Sequence, residues 1–328
     1  MNLPEIQPVP ASCGAPPDCM VIVPARNEAK SIARCVASFP EDTVLVVDDG
    51  SDDRTADAAK QAGAGVLRAL PVPRGGIGKT HACAAGAQAL DTTWILFADA
   101  DSWYEPGFLE AAIARAESDG CRLLSICLDT GCQGLWDHIL APYASALFFS
   151  AAPVKEGLAP LFSGQCVLAR REEYEFIGGY GRVLRDFAAD YQLADVAQRH
   201  RLKIGVARAR RLGHVRMYAG WKDAWSTIER QAARSLIIST RSCVLILVTA
   251  FAAVLWLPLL IRLLLEPHYV WATALALFPI LLLRGWYRGW AHALLAPVSM
   301  LAMFPVLLHG AVSTVSGRIQ WKGRPITP

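Results

Sequence analysis

Two short acidic clusters contain the side chains of this sequence that are best suited to chemistry. The first is Asp48-Asp49 and the second is Asp99-Ala100-Asp101, and each comes at the end of an apolar run. Two aspartates separated by one residue, as in Asp99-Ala100-Asp101, can hold a divalent cation such as Mg²⁺ or Mn²⁺. The cation would neutralise a diphosphate and stabilise it as it leaves. Aspartates also cap turns and helices, so either cluster alone could be purely structural.

The segments around these clusters predict an α/β fold. Short apolar runs at 21–23, 44–47 and 94–97 predict strands, with another near 66–67, and the stretches between them predict helices. We expect helices at about 27–39 with Asn27 as the cap, at 55–61 and at 81–90. Strands that are apolar throughout and alternate with helices indicate a Rossmann-like, mainly parallel sheet covered on both faces. In such sheets ligands bind at the carboxyl ends of the strands, where both acidic clusters fall.

Charge is distributed unevenly along the 328 residues. The net charge of +3 is too small for an electrostatic nucleic-acid binder, so we expect no nucleic-acid partner. Residues 1–235 carry 25 basic and 28 acidic side chains, whereas residues 236–328 carry seven basic side chains and the single acid Glu266. Residues 1–19 contain five prolines and no apolar core, which predicts a flexible segment rather than a secretion signal. The domain that follows is therefore expected in the cytoplasm.

Three apolar stretches near the carboxyl terminus predict a membrane region over residues 241–315. The stretch 243–265 is 23 residues long and, at about 1.5 Å per residue, is long enough to span a bilayer. The stretch 269–283 is shorter, and 292–312 is interrupted by two prolines. Buried helices of a soluble protein are the less favoured alternative.

Basic residues suggest an orientation for this region. After two crossings, Arg284 and Arg288 would lie on the cytoplasmic side, as the positive-inside rule favours. A third crossing would export the basic tail 316–328, so the third stretch could instead be re-entrant or interfacial. The sequence thus predicts a multi-pass protein of the cell membrane with a cytoplasmic catalytic domain.

Several motifs follow one another in an order and spacing that resemble family 2 glycosyltransferases of the GT-A fold. They are Val-Pro-Ala-Arg-Asn-Glu at 23–28, Val-Asp-Asp-Gly-Ser-Asp-Asp-Arg-Thr at 47–55, Phe-Ala-Asp-Ala-Asp at 97–101, Ile-Gly-Gly-Tyr at 177–180, Asp-Tyr-Gln-Leu-Ala at 190–194 and Gln-Ala-Ala-Arg at 231–234. Each motif is weak alone, but the combination is specific. The resemblance implies a GT-A domain over residues 20–240, followed by transmembrane helices.

The resemblance also implies roles for individual residues. Asp49 would bind the uracil of a UDP-sugar, and Asp99 and Asp101 would hold Mg²⁺ or Mn²⁺ on its diphosphate. Asp190 would deprotonate the acceptor hydroxyl, with Asp186 as the rival four residues earlier. The expected nucleotide-sugar pocket comprises Pro24, Arg26, Glu28, Val47, Asp49, Lys79, Asp99, Ala100, Gln231 and Arg234.

Two positions depart from the family pattern. Ala189 replaces the glutamate that usually precedes the base, and Ser235 replaces the tryptophan that usually follows the arginine. The second change argues against processive polymer synthesis. The tail 317–324 is similar to that of membrane members that glycosylate lipids such as carotenoids and hopanoids.

Some features admit two interpretations. The segment 75–80, Gly-Gly-Ile-Gly-Lys-Thr, resembles a phosphate-binding P-loop, but Pro73 stands where the first glycine is required. Lys79 could still approach the donor, as in related membrane transferases, or be a surface lysine. The apolar stretch 140–152 is either a core element or a segment lying against the membrane. Trp221 and Trp225 fit one face of an interfacial helix.

Taken together, these features predict inverting, metal-dependent transfer of a sugar from a UDP-sugar to a lipid hydroxyl at the cytosolic membrane face. Two alternatives stay open. The acceptor could be a polyprenyl phosphate, which is already anionic and needs no base. The chain could also be a non-catalytic membrane protein that only binds nucleotide-sugars.

Overall fold

The structure, a computed structural model, describes residues 3–8, 17–130, 134–151, 162–186, 188–218, 220–238, 240–286, 289–316, 320–321 and 324–325. The chain divides into two compact units. Unit 1 comprises Met1–Asp129 and Val154–Val215, and unit 2 comprises Thr130–Pro153 and Arg216–Pro328.

The strands and helices are as follows. The strands are β1 (Cys19–Ala25), β2 (Val44–Asp48), β3 (Gly65–Arg68), β4 (Trp94–Ala98), β5 (Ser102–Tyr104), β6 (Leu123–Thr130), β7 (Cys166–Arg170), β8 (Ile204–Val215), β9 (Gln320–Trp321) and β10 (Arg324–Pro325). The helices are α1 (Ile32–Ala37), α2 (Thr55–Gln61), α3 (Gly78–Gln88), α4 (Phe108–Asp119), α5 (Leu135–Ala151), α6 (Arg171–Phe176), α7 (Gly179–Arg182), α8 (Ala189–Arg199), α9 (Trp221–Ile238), α10 (Thr240–Leu265), α11 (Tyr269–Leu283), α12 (Trp290–Ala293) and α13 (Ala296–Val315).

An eight-stranded sheet in the order β3-β2-β1-β4-β7-β6-β8-β5 forms the centre of unit 1. The first four strands in this order are parallel, as predicted. Strand β7 runs antiparallel to β4 and to β6, and β5 runs antiparallel to β8. The sheet is therefore mixed, rather than mainly parallel. An apolar run indicates burial but not strand direction, which depends on how the chain returns to the sheet.

The two acidic clusters of the predicted site lie at the carboxyl ends of the parallel strands, along one edge of the sheet. Strands β1, β2 and β4 end at Ala25, Asp48 and Ala98, respectively, and their carboxyl ends share that edge because the strands are parallel. Helix α3 packs closely on this sheet at Gly86, where a Cβ would lie 2.8 Å from Ile22 Cγ2. The close approach fixes α3, whose first turn holds the lysine of the glycine-rich segment.

Two predicted helices begin at other residues than expected. Asn27 is not a helix cap, because it adopts a left-handed conformation with φ 55° and its side-chain oxygen accepts a hydrogen bond from the Asp52 amide at 2.9 Å. The helix after it therefore starts only at Ile32. The helix expected from residue 81 already starts at Gly78. The predicted helix at 55–61 and the strand near 66–67 are both present.

Unit 2 is helical and has its own core. Side chains of α5, α9, α10 and α13 form one buried cluster, with Leu140, Ile228, Ala253 and Val306 at its centre. The segment at 140–152 thus begins as a core element of this unit, with Leu140, Ala141, Tyr143, Ala144 and Ala146 buried. Trp221 and Trp225 lie together on α9, with ring centroids 5.2 Å apart.

By length and composition, two helices among the described residues of unit 2 could cross a membrane. They are Leu247–Leu265, with a mean hydropathy of 2.2, and Ala296–Ser313, with a mean hydropathy of 1.5. The first has only 6% of its residues buried, whereas the second has 44%. The apolar helix Tyr269–Leu283 is shorter. All three apolar stretches of the sequence are thus helical, and two of them have spanning length.

Candidate functional site

Hydrogen bonds join the loops that follow β1 and β2. The Glu28 amide donates to Thr55 Oγ1 at 2.8 Å, and the Asn27 amide donates to Ser51 Oγ at 3.0 Å. The loop after β1 carries Arg26, Asn27 and Glu28, and the loop after β2 begins with Asp49 of the first acidic cluster. These contacts therefore bring two separate sequence motifs into one wall of the site.

Arg26 and Asp49 meet in this wall. Arg26 Nη1 donates to the Asp49 carbonyl at 2.8 Å and lies 3.9 Å from Asp49 Oδ2. The Asp49 side chain is buried, and its amide donates to the Ala25 carbonyl at 2.9 Å. Pro24 and Val47 are register partners in the strands that these loops follow. A carboxylate and a guanidinium held this way can bind an N–H donor and an anion side by side.

Asp99 lies where β4 ends and is held by the residues around it. Its amide donates to the Gln165 carbonyl at 3.0 Å, and Ser102 Oγ donates to the Asp99 carbonyl at 2.6 Å. On its side chain, Oδ1 accepts a hydrogen bond from Lys79 Nζ at 2.5 Å. Burial raises the pKa of Asp99, although the Lys79 charge opposes that shift.

Lys79 links the second acidic cluster to the next loop. Besides Asp99, its Nζ contacts the Gly164 carbonyl at 2.8 Å. Burial alone would lower the pKa of Lys79, but the carboxylates of Asp99 and Asp190 outweigh burial and raise it. Lys79 therefore stays a cation between two acids that are 91 positions apart in the sequence.

Asp101 has an unsatisfied oxygen. Within the described part of the chain, its Oδ1 is buried and accepts no hydrogen bond. Burial, followed by the negative charges of Asp99 and Glu28, raises the pKa of Asp101 to about 8. Ala100 between the two acids is buried. A buried carboxylate oxygen without a donor is a place where a cation would be favourable.

The residues present fit a divalent cation whose coordination is completed by the phosphates of a bound substrate. Among the described residues there is no group of three or more His, Cys, Asp or Glu side chains placed to hold a metal. Two carboxylates with substrate phosphates are, however, a usual way for proteins to bind Mg²⁺. Asp99 and Asp101 offer those two carboxylates.

Asp190 lies in the first turn of α8, where the helix dipole favours a negative charge. Its Oδ1 accepts a hydrogen bond from Tyr180 Oη at 3.0 Å. The carboxylate lies so close to Gly164 that any Cβ at that position would overlap it. Gly164 therefore contacts Lys79 through its carbonyl and Asp190 through its bare Cα. This glycine brings the predicted base next to the predicted metal-binding acids.

A family comparison settles what this domain is. Residues 20–177 match the model described as glycosyl transferase family 2. Those residues form a family 2 glycosyltransferase domain. The predicted resemblance is thereby confirmed, and the site described above lies at one edge of its mixed α/β sheet, an arrangement consistent with GT-A.

Two glycosyltransferases from staphylococci are similar to parts of this chain. A 4,4'-diaponeurosporenoate glycosyltransferase from Staphylococcus haemolyticus is 28% identical over 225 residues, which cover 63% of this chain and 59% of the relative. Its counterpart from Staphylococcus aureus is 36% identical over 113 residues, or 32% of this chain and 30% of that protein. The matched regions thus span less than two thirds of these relatives.

Solved structures of glucosyl-3-phosphoglycerate synthase from Mycobacterium tuberculosis are also similar. The complex with Mg²⁺ and UDP has 23% identity, covers 68% of this chain and 81% of that one, and has a TM-score of 0.44. The complex with phosphoglyceric acid has 21% identity, covers 73% and 89% of the two chains, and has a TM-score of 0.46.

Two residues predicted for the pocket belong to unit 2. Gln231 and Arg234 belong to α9 of unit 2, and their side chains lie outside the described residues. The other predicted residues of the glycosyltransferase domain lie in unit 1. Sequence reasoning gave no role to Tyr180 or Gly164, although Tyr180 stands in one of the matched motifs. Both contact Asp190, which is ten residues after Tyr180. The sequence does not show that these residues meet.

Proposed function

We propose that this protein transfers a sugar from a UDP-sugar to a lipid hydroxyl, with inversion at the sugar carbon. The single observation that supports this most is the contact chain Asp99–Lys79–Gly164–Asp190. It places an acid able to bind metal and an acid able to act as a base on either side of one short backbone segment. Inverting transfer to a hydroxyl uses a base at the acceptor oxygen and a cation on the leaving diphosphate, on opposite sides of the sugar carbon.

The donor would bind along the edge of the sheet. Asp49 would accept hydrogen bonds from the uracil, and Arg26 and Lys79 would offer positive charge to the diphosphate. Asp99 and Asp101 would hold Mg²⁺ or Mn²⁺. When bound, the ion would supply Lewis-acid stabilisation of the leaving diphosphate. Lys79 contacts Asp99 and would therefore lie close to the diphosphate as well.

Asp190 would act as the general base. An acceptor hydroxyl is a poor nucleophile at neutral pH, and a carboxylate at hydrogen-bond distance can take its proton as the new C–O bond forms. The proton would pass to the Asp190 carboxylate, and the diphosphate would leave from the opposite face of the sugar.

The acceptor would come from a membrane. Helix α10 exposes the apolar side chains Leu247, Phe251 and Leu255, which are 64%, 66% and 48% exposed. Such a surface is costly in water and favourable in lipid. The names of the staphylococcal relatives also point to an apolar acceptor. We therefore place the protein at the cell membrane with the glycosyltransferase domain on the cytoplasmic side.

The test compares Asp190→Asn with Asp186→Asn in the full chain. Purified protein in lipid vesicles would receive UDP-hexoses, Mn²⁺ and a membrane lipid extract, with UDP release and the mass of new lipids as readouts. Asp190→Asn should lower turnover by about 10²–10⁴-fold and leave UDP binding unchanged, whereas Asp186→Asn should behave like the parent. Normal turnover of Asp190→Asn on a phosphorylated lipid would favour the polyprenyl phosphate acceptor instead.

A further inference from the structure

Tyr180 is a buried tyrosine whose side chain ends at the Asp190 carboxylate. Its side chain is among the largest that are fully buried in the described chain, and its ring meets that of Phe97 edge to face, with centroids 5.0 Å apart. Its amide donates to Tyr174 Oη at 2.9 Å. Packing and hydrogen bonding therefore fix the position of both the backbone and the ring.

The turn before Tyr180 is built to allow this placement. Gly178 and Gly179 have φ values of +83° and +48°, in the left-handed region that glycine tolerates best. A Cβ at Gly179 would run into the Tyr174 ring. The chain uses two successive glycines to bring Tyr180 under the first turn of α8.

The Tyr180 hydroxyl is suited to donate a hydrogen bond to a carboxylate. Burial, followed by the negative charge of Asp190, raises the pKa of Tyr180 well above its ordinary value. The phenol therefore keeps its proton. A neutral donor stabilises the ionised carboxylate and fixes its orientation, without adding a positive charge beside Lys79.

We propose that Tyr180 is a positioning residue for Asp190, which holds Oδ1 so that the other carboxylate oxygen faces the acceptor hydroxyl. Gly164 supports the carboxylate from another side by leaving room for it. This inference rests on the proposed function, since it assumes that Asp190 is the base. Tyr180 acts only through Asp190 and does not touch the substrate.

Tyr180→Phe and Tyr174→Phe form a matched pair for the test. Each removes one buried tyrosine hydroxyl next to Phe97, but Tyr174 contacts the Tyr180 amide rather than Asp190. In the full chain, Tyr180→Phe should lower kcat by about 10- to 100-fold, since a hydrogen bond to a charged group is lost. The KM for the UDP-sugar and the affinity for UDP should stay within about twofold. Tyr174→Phe should retain most of kcat, because the Tyr180 hydroxyl and the packing of its ring against Phe97 remain.

A double-mutant cycle separates positioning from general destabilisation. In an Asp190→Asn background, Tyr180→Phe should have almost no further effect on kcat, because its partner is already altered. An equal loss of kcat in both backgrounds, or equal losses in Tyr180→Phe and Tyr174→Phe, would overturn the positioning role. Full activity of Asp190→Asn alone would instead overturn the proposed base, and this inference with it. Binding of UDP checks that each variant is folded.

Discussion

Lys79 Nζ lies 2.5 Å from Asp99 Oδ1, so the protein places its own cation on the first acid of the Asp-Ala-Asp motif. Both side chains are partly accessible, at 30% and 27% exposure. The diphosphate of a donor would compete with Asp99 for the same ammonium group. Release of Asp99 would then coincide with donor binding, which couples the affinities for nucleotide and metal.

Lys79→Met should change nucleotide and metal binding in opposite directions. Loss of the ammonium removes an attraction for the diphosphate, so the affinity for UDP should fall by about 10-fold. Loss of its competition for Asp99 should make Mn²⁺ binding to the nucleotide-free protein tighter. Titration calorimetry with UDP and electron paramagnetic resonance of Mn²⁺ measure the two effects. Lys60→Met, on the exposed face of α2, is the control. Unchanged Mn²⁺ binding in Lys79→Met would contradict the coupling.

Asp101 should make stability depend on pH. Its pKa is about 8 in the folded protein against an ordinary value of 3.8, so the folded state binds more protons than the unfolded state between those values. The free energy of unfolding should therefore fall as pH rises from about 4 to about 8. Asp101→Asn removes the ionisable group, so the free energy of unfolding of this variant should fall less over the same pH range.

Thermal unfolding without metal or nucleotide tests that expectation. Asp101→Asn should have a higher Tm than the parent at pH 8 and a similar Tm at pH 4, with each 1 kcal/mol worth roughly 2–4 °C. Asp186→Asn changes a half-buried acid near the site in the same way. The Tm of this variant should depend on pH as that of the parent does. If the Tm of Asp101→Asn at pH 8 were lower than that of the parent, ionised Asp101 would not destabilise the folded protein, and the expectation would be refuted.

The parallel half of the sheet was predictable because its strands are short, apolar runs. Val21, Ile22, Val23, Ile95 and Leu96 are fully buried, and each lies in a run that the sequence marks clearly. The acids follow directly from such runs, so their common edge could be expected as well. The direction of β7 could not, because it depends on the long connection from β6 rather than on the composition of either strand.

Contacts over long sequence distances explain what the sequence could not predict in the site. Lys79 and Gly164 are 85 residues apart, and only the folded chain brings them together. The residues around Asn27 predict that it caps a helix. Its side chain instead accepts a hydrogen bond from the Asp52 amide in the loop after β2. The motif at 177–180 was recognisable, whereas the hydrogen bond from its tyrosine to Asp190 required the structure.

Gly164→Ala should reduce catalysis more than its effect on stability would predict. The added methyl group would overlap the Asp190 carboxylate and push it away from the acceptor. We expect kcat to fall by at least about 10-fold, as displacements of about 1 Å at a reacting group can cost more. Steady-state kinetics with saturating donor measures this.

Gly205→Ala is the matched control for that substitution. Its Cβ would lie 2.7 Å from Cys121 Sγ, so it is also crowded, but its neighbours are not site residues. Both variants should lose about 1–3 kcal/mol of stability through overpacking. Similar kcat values for the two variants would mean that Gly164 serves packing only.

Leu255→Arg should weaken membrane attachment. Leu255 lies near the middle of the apolar stretch Leu247–Leu265 and is 48% exposed. An arginine at the centre of a spanning helix costs about 2.5–3.5 kcal/mol on insertion scales. The variant should therefore leave the membrane fraction more readily on alkaline carbonate extraction. Leu70→Arg makes the same change at a leucine of unit 1 that is 77% exposed, and should leave the fractionation unaltered. If alkaline carbonate released the parent protein as completely as Leu255→Arg, α10 would not be inserted in the bilayer, and its exposed leucines would need another partner.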